Sequence, residues 1–183
     1  MQGIGLARRN RIIKVVNLIV TLVLFALLIL LDQFSKSYFE ELYNKQGQTT
    51  VIDGFFYLTH VVNKGAAWSF LGDKPWAQTF FKIITIVAIC IFIVAYIYAY
   101  IKNYRWLQYG VSIAFAGTVG NFIDRLLING VNDFLSFVFG TYHFPVFNVA
   151  DICLCVGVAM IIIHMCFIDD NGIFVGKKKD EQN

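Results

Sequence analysis

Charge is scarce in this chain: Asp, Glu, Lys and Arg make up 15% of its 183 residues, against 58% hydrophobic. Such a composition is too apolar for a soluble domain, yet the chain is long enough for one compact membrane bundle. The net charge of +3 is small, and the basic residues form no patch with interleaved aromatics, which excludes a nucleic-acid partner. Histidine is nearly lacking, and none of His60, His143 and His164 has a partner at metal-ligand spacing. His164, near the inner end of the last apolar run, reads as interfacial. Cys90, Cys153, Cys155 and Cys166 all fall within apolar stretches, which points to neither a disulfide framework nor a zinc site. No metal or cofactor is expected. Repeats, low-complexity tracts and linkers are also missing, so residues 1–183 read as a single membrane-embedded domain, ending in a polar tail over 169–183.

Four stretches, residues 12–31, 80–101, 108–128 and 147–168, are each long enough as helices to cross about 30 Å of hydrocarbon at about 1.5 Å per residue. The first follows a basic segment, as a signal peptide would, but its length and the lack of a small-residue cleavage pattern make it an uncleaved span. Tyr96, Tyr98, Tyr100 and Tyr104 form an interfacial belt at the end of the second. The third is less apolar, with Ser112, Ala116 and Gly120 recurring every four residues, a track that lets another backbone approach closely. Pro145 introduces the fourth.

Lys and Arg set the orientation. Arg8, Arg9, Arg11 and Lys14 precede the first span, Lys102 and Arg105 lie between the second and third, and Lys177 to Lys179 lie in the tail. The positive-inside rule places all three segments, and so both termini, in the cytoplasm. Residues 32–79 and 129–146 are then outside; Lys36, Lys45, Lys64 and Lys74 are spread thinly over the longer of these segments. Within it a β-rich segment at about 45–72 predicts short strands over residues 49–69, with turns at Asp53-Gly54 and at Asn63 to Gly65. A small extracytoplasmic sheet is the expected product.

The rare polar residues converge on the outer end of this frame. Asp32 closes the first span and Lys36 follows at i+4; Asn121, Asp124 and Arg125 share one side of the third; Asn148 and Asp151 open the fourth. Asn148 and Asp151 read equally as a helix cap, which the free N–H groups and the dipole favour. Asp124 and Arg125 fit a structural network. Asp32 with Lys36 fits an interfacial anchor or a substrate-side contact better than a catalyst. Asp133 resists such readings. It lies in VNDFLSFVFG, an apolar segment too short to span, which predicts a short interfacial helix over the bundle mouth. That helix would bring its carboxylate within reach of Asp151. Two carboxylates sharing a site titrate as a unit, one keeping its proton. Such a pair can activate water with one member and protonate a leaving amine with the other, which is peptide hydrolysis without metal or covalent intermediate.

Five strings then carry a resemblance: DQFSK at 32–36, NKGAAWS at 63–69, GNFIDR at 120–125, VNDF at 131–134 and FNVAD at 147–151. Together and in this order they resemble the lipoprotein signal peptidase family, bacterial membrane aspartyl peptidases also called signal peptidase II. The resemblance implies four transmembrane helices with a small outer sheet and an outer interfacial helix. It also implies removal of signal peptides from prolipoproteins, by cleavage before a diacylglyceryl-modified cysteine. Asp133 and Asp151 match the catalytic pair. Asn63, Gly65, Asn121, Asp124, Arg125 and Asn148 match motif positions around the site, and Asp32 and Lys36 match those at the end of the first helix. Asn148 is placed to orient Asp151, and Arg125 to hold a carbonyl or substrate group with its forked donors. The implied partners are lipid-modified prolipoproteins and membrane lipids; the implied location is the bacterial cytoplasmic membrane, with the site at its outer face and the protein a monomer. Two positions depart from the pattern. Ser35 replaces a commoner threonine and keeps the hydroxyl, and Asn132 stands where a second apolar residue is expected, free to alter packing or add a hydrogen bond near Asp133.

Two other classes make different demands. An ion- or proton-coupled transporter needs charged residues along the whole path, whereas the inner halves of these spans carry almost none. A non-catalytic assembly subunit packing through small residues needs no carboxylate pair.

Overall fold

No Gly or Pro interrupts the chain between residues 6 and 46, and the first helix accordingly runs far past its predicted span. In the computed structural model, which describes residues 2–43, 47–65 and 74–168, α1 extends over Gln2–Tyr43, 42 residues. It is followed by β1 (Gln48–Ile52), β2 (Phe56–Asn63), α2 (Ala77–Lys102), α3 (Arg105–Leu127), β3 (Val131–Phe139), β4 (Tyr142–His143) and α4 (Val149–Ile163), which ends in a π-helical turn, His164–Ile168. Residues 66–69 of the predicted strands and the polar tail lie outside the described residues. Asn103, in the left-handed region at φ 58°, closes α2 by donating its N–H to the carbonyls of Ala99 and Tyr100.

Among the described residues, three segments are long and apolar enough to cross a membrane: Arg9–Tyr43, Ala77–Lys102 and Val149–Ile168. Their Leu, Ile and Val side chains, such as Leu22, Ile83, Val94 and Ile162, point outward and are exposed. The third predicted span, residues 108–128, is a helix of the expected length, but composition does not mark α3 as a span. The reason is its position. α3 packs against α1, α2 and α4, so it buries Gln108, Ser112, Thr118, Asn121 and Asp124 where the others present aliphatic side chains outward.

Glycine sets how closely α3 and α4 approach. A Cβ on Gly117 would lie 2.2 Å from the Ala150 carbonyl oxygen, and one on Gly157 would lie 2.3 Å from the Ala114 nitrogen. The predicted track Ser112, Ala116 and Gly120 is buried, but the closest approach to α4 uses the neighbouring stripe Gly110, Ala114 and Gly117. Gly120 instead makes room for Asp32 of α1, whose Oδ2 would be 2.5 Å from an added Cβ. At the far end, His164, expected at the interface, is turned into the protein. Its ring is buried, 4.8 Å from that of Tyr104.

The interfacial helix predicted around Asp133 is instead a strand. β3 pairs antiparallel with β2 in a sheet of order β1-β2-β3-β4, in a register that sets Val61 opposite Asp133 and Asn63 opposite Val131. A short Val/Phe-rich run cannot be told from a helical segment by its apolarity. Here the open edge of β2 decides, because its N–H and C=O groups need partners. The β1–β2 turn falls at Asp53-Gly54 as expected, with Gly54 at φ +69°. Stacked rings fasten the sheet to its neighbours: Phe39 of α1 on Phe134 at 4.5 Å, and Phe137 on Phe147, just before α4, at 5.8 Å.

Candidate active site

Asp133 reaches the site from the buried first half of β3 and Asp151 from the first turn of α4. The FNVAD spacing forms a capping box. The Asn148 side-chain oxygen accepts the Asp151 N–H at 3.0 Å, and Asp151 Oδ2 accepts the Asn148 N–H at 3.2 Å. The cap and the site are therefore one structure, because the Asn148 amide nitrogen also donates to Asp133 Oδ1 at 2.7 Å.

Three asparagines serve the two aspartates, and obligate donors fix which way each amide points. The oxygen of Asn148 faces the Asp151 N–H. That of Asn63 accepts the Gly65 N–H at 2.9 Å, and that of Asn121 accepts Lys36 Nζ at 2.9 Å. A backbone N–H and an ammonium can only donate, so each amide must turn its NH2 the other way. Asn63 then donates to Asp133 Oδ2 at 3.1 Å and Asn121 to Asp151 Oδ1 at 2.8 Å. Each carboxylate thus faces two donors, those of Asp133 both from side chains.

Both carboxylates line one cavity of about 770 Å3. Asn63, Gly65, Asn121 and Arg125 share its polar end, while Ile84, Ala88 and Phe92 of α2 and Ile152, Cys155 and Val156 of α4 supply apolar walls. Arg125 donates to the Asn121 carbonyl at 3.2 Å and lies over the Phe81 ring at 5.5 Å. Asp124, its neighbour in sequence, turns away from the cavity, accepts the Asn132 N–H at 3.0 Å and meets Lys36 at 3.1 Å. The expected structural network is therefore present for Asp124, while Arg125 faces the cavity.

Asp32 and Lys36, read from the sequence as an interfacial anchor or a substrate-side contact, face the protein interior. They form an ion pair at 2.8 Å whose side chains are 1% and 2% exposed, and neither lines the cavity. Asp32 Oδ1 accepts the Ala150 N–H at 2.9 Å, so α1 caps the first turn of α4. The small residue at 120 lets α1 come close enough to do this. Sequence reasoning missed Gln33, which donates to both Asp32 and Asp124 at 3.1 Å. It also missed Thr85 and Phe92, which nothing in the sequence separates from the lipid-facing residues of α2. Asn132 adds the hydrogen bonds its departure allowed, to Glu40 at 3.0 Å and with His60 at 3.1 Å. These tie β3 to α1 and β2 beside Asp133.

Burial, and then the charge of Asp151, push the Asp133 carboxyl from an ordinary 3.8 up to about 7, against the opposing bonds from Asn63 and Asn148 and the charge of Lys36. Between those values the folded protein holds a proton that the unfolded chain has released, so this group's contribution to stability is complete below about pH 4 and is lost as pH rises through about 7. The melting temperature in detergent should therefore fall across this window, and Asp133→Asn, which cannot ionise, should fall less steeply. Equal slopes for the two proteins would contradict the assignment.

Residues 24–167 match the family described as signal peptidase (SPase) II. The chain is 46% identical over 115 residues to the lipoprotein signal peptidase of Bacillus pumilus, covering 63% of this chain and 72% of that protein. With that of Maridesulfovibrio salexigens it shares 41% over 137 residues, 74% of this chain and 87% of that one. A solved bacterial membrane enzyme has a similar fold, with a TM-score of 0.67 and 35% identity over 82% of this chain and 94% of its own; a second gives 0.66 and 37% over 79% and 85%. With its motif strings inside the matched region and its fold shared with membrane enzymes, this chain is a multi-pass membrane protein that belongs to the signal peptidase II family.

Proposed function

We propose that this protein is an aspartic endopeptidase that removes signal peptides from diacylglyceryl-modified prolipoproteins, cleaving before the lipidated cysteine with Asp133 and Asp151. Family membership supports the removal of lipoprotein signal peptides. The observation that carries the aspartic mechanism is the pair of carboxylates facing one cavity, held from two different elements by three asparagines whose donors can point nowhere else. In this reading Asp133 holds the proton and Asp151 is ionised. Asp151 takes a proton from water as the water oxygen attacks the scissile carbonyl, and the Asp133 proton passes to the leaving amine as the C–N bond breaks. Arg125 offers forked donors to a substrate carbonyl at the same cavity.

The apolar walls on α2 and α4 support entry from the lipid, with the acyl chains against Ile84, Phe92 and Val156. α3 acts as the fourth span, its polarity explained by its central place. The basic residues near the start of α1, and Lys102 and Arg105 at the junction of α2 and α3, support termini in the cytoplasm and a site at the outer face of the bacterial cell membrane. The protein works as a monomer within a single domain, with Asn63 and Gly65 on the substrate side and Asp32, Lys36 and Asp124 supporting from behind. Purified protein should process a diacylglyceryl-modified prolipoprotein and leave the unlipidated precursor intact. Equal processing of both would remove the lipid requirement, and no processing by folded protein would remove the peptidase reading.

A further inference from the structure

Lys36 is buried and does not itself line the cavity. Its three donors go to Asp32 Oδ2 at 2.8 Å, Asp124 Oδ2 at 3.1 Å and Asn121 Oδ1 at 2.9 Å. Two carboxylates would suffice to pair an ammonium, so the third contact invites a reason. Asn121 is the one amide of the three whose orientation is fixed by a side chain: Asn63 and Asn148 are each fixed by a backbone N–H. We propose that Lys36 is a positioning residue for the reaction, acting through Asn121: its ammonium holds the Asn121 oxygen and thereby keeps the amide N–H on Asp151. The inference rests on the peptidase reading above and deepens it.

The geometry makes the device directional. An asparagine side chain is nearly symmetric in shape, and a flip exchanges its donor for an acceptor. In the flipped state Asn121 would aim its NH2 at the Lys36 ammonium and at the Asn148 NH2, which donates to its oxygen at 3.0 Å, and would aim its oxygen at Asp151. All three contacts would become donor–donor or acceptor–acceptor. Without Lys36, one of the two contacts opposing the flip at the amide oxygen is gone. Asp32 and Asp124 keep the ammonium in place: both are buried, and Gln33 bonds both. Lys36 thereby links α1 to the reacting end of α4 without approaching the substrate.

The test measures kcat and KM on the lipidated prolipoprotein for wild type, Asn121→Ala, the pair Lys36→Met with Asp32→Asn, and all three changes together. Neutralising Lys36 with its closer partner avoids stranding both carboxylates in the interior. A positioning role predicts that the first two variants each lose about 100-fold in kcat with KM within about twofold. The combined protein should lose no more than the worse of them, because a lysine with no amide to orient has nothing further to contribute. Wild-type kcat in the Lys36 pair, or losses that multiply in the combined protein, would overturn the inference and leave Lys36 a structural ion. If the Lys36 pair does not fold, Asn121→Asp decides. It keeps an oxygen for Lys36 but places a second oxygen against Asp151, so a lost kcat at an unchanged melting temperature supports the relay and a retained kcat overturns it. A wild-type protein that cleaves nothing would sink the peptidase reading instead.

Discussion

Replacing Asp133 or Asp151 with asparagine is expected to lower turnover of a lipidated prolipoprotein by at least about 10³-fold while leaving the protein folded. The size follows from the work assigned to each group. Without an ionisable residue 151 nothing takes the proton from water, and without a protonated residue 133 nothing delivers one to the leaving amine. The survival of the fold follows from the hydrogen bonds. Each carboxylate faces two donors, and an asparagine can accept at its oxygen while its NH2 must meet the other donor, a loss of about 1 kcal/mol. At 133 this loss is offset at neutral pH, because the substitution removes a carboxyl that burial disfavours when charged. Both variants should therefore purify as well as wild type and melt within a few degrees of it, as about 1 kcal/mol implies. Turnover retained by either would remove the dyad mechanism, and loss of folded protein would show that the pair is primarily structural.

The parts of this site that were legible in the sequence are local ones. Asn148 and Asp151 stand three apart before an apolar run, and that spacing reads as a helix cap, which the structure completes as a capping box. Asn121 and Arg125 follow one another by a helical turn in a stretch too polar to face lipid. What remained hidden depends on contacts distant in sequence. Asp32 and Lys36 at the end of an apolar run read the same whether they meet headgroups or Asp124, and only the packing of α3 on α1 distinguishes the two. VNDFLSFVF reads as a helix or a strand until β2, some 70 residues earlier in the register Val61 to Asp133, supplies an edge. The orientation of the three asparagines is a property of their partners, which come from α1, α3, β3, α4 and Gly65 just after β2. The predicted small-residue track missed the true close approach for a similar reason. Stripes two or three residues apart on α3 make different approaches, and spacing within one helix does not say which neighbour lies opposite.

That close approach makes Gly117→Ala the most damaging single methyl group this fold can be expected to meet near the site. Its Cβ would be 2.2 Å from the Ala150 oxygen and 2.9 Å from the Leu154 nitrogen, both backbone atoms that no rotamer change can move. The first turns of α4 must shift away from α3. Overpacking of this kind costs about 1–3 kcal/mol, but the functional loss should exceed the loss of stability. Asn121 lies one helical turn beyond Gly117, and its bonds to Asp151 at 2.8 Å and from Asn148 at 3.0 Å both cross the same seam. A displacement near 1 Å there is enough to lower kcat by about 100-fold, with a lower melting temperature alongside. The expected signature differs from that of the aspartate variants. Gly117→Ala keeps both carboxylates, so its residual activity should show the same number of titrating groups in its pH profile as wild type, at a fraction of the rate. Asp133→Asn or Asp151→Asn keeps the seam and loses the chemistry. Wild-type kcat in Gly117→Ala would mean that the dyad tolerates movement of α4, and that the three asparagines do not hold the site by the geometry argued for them.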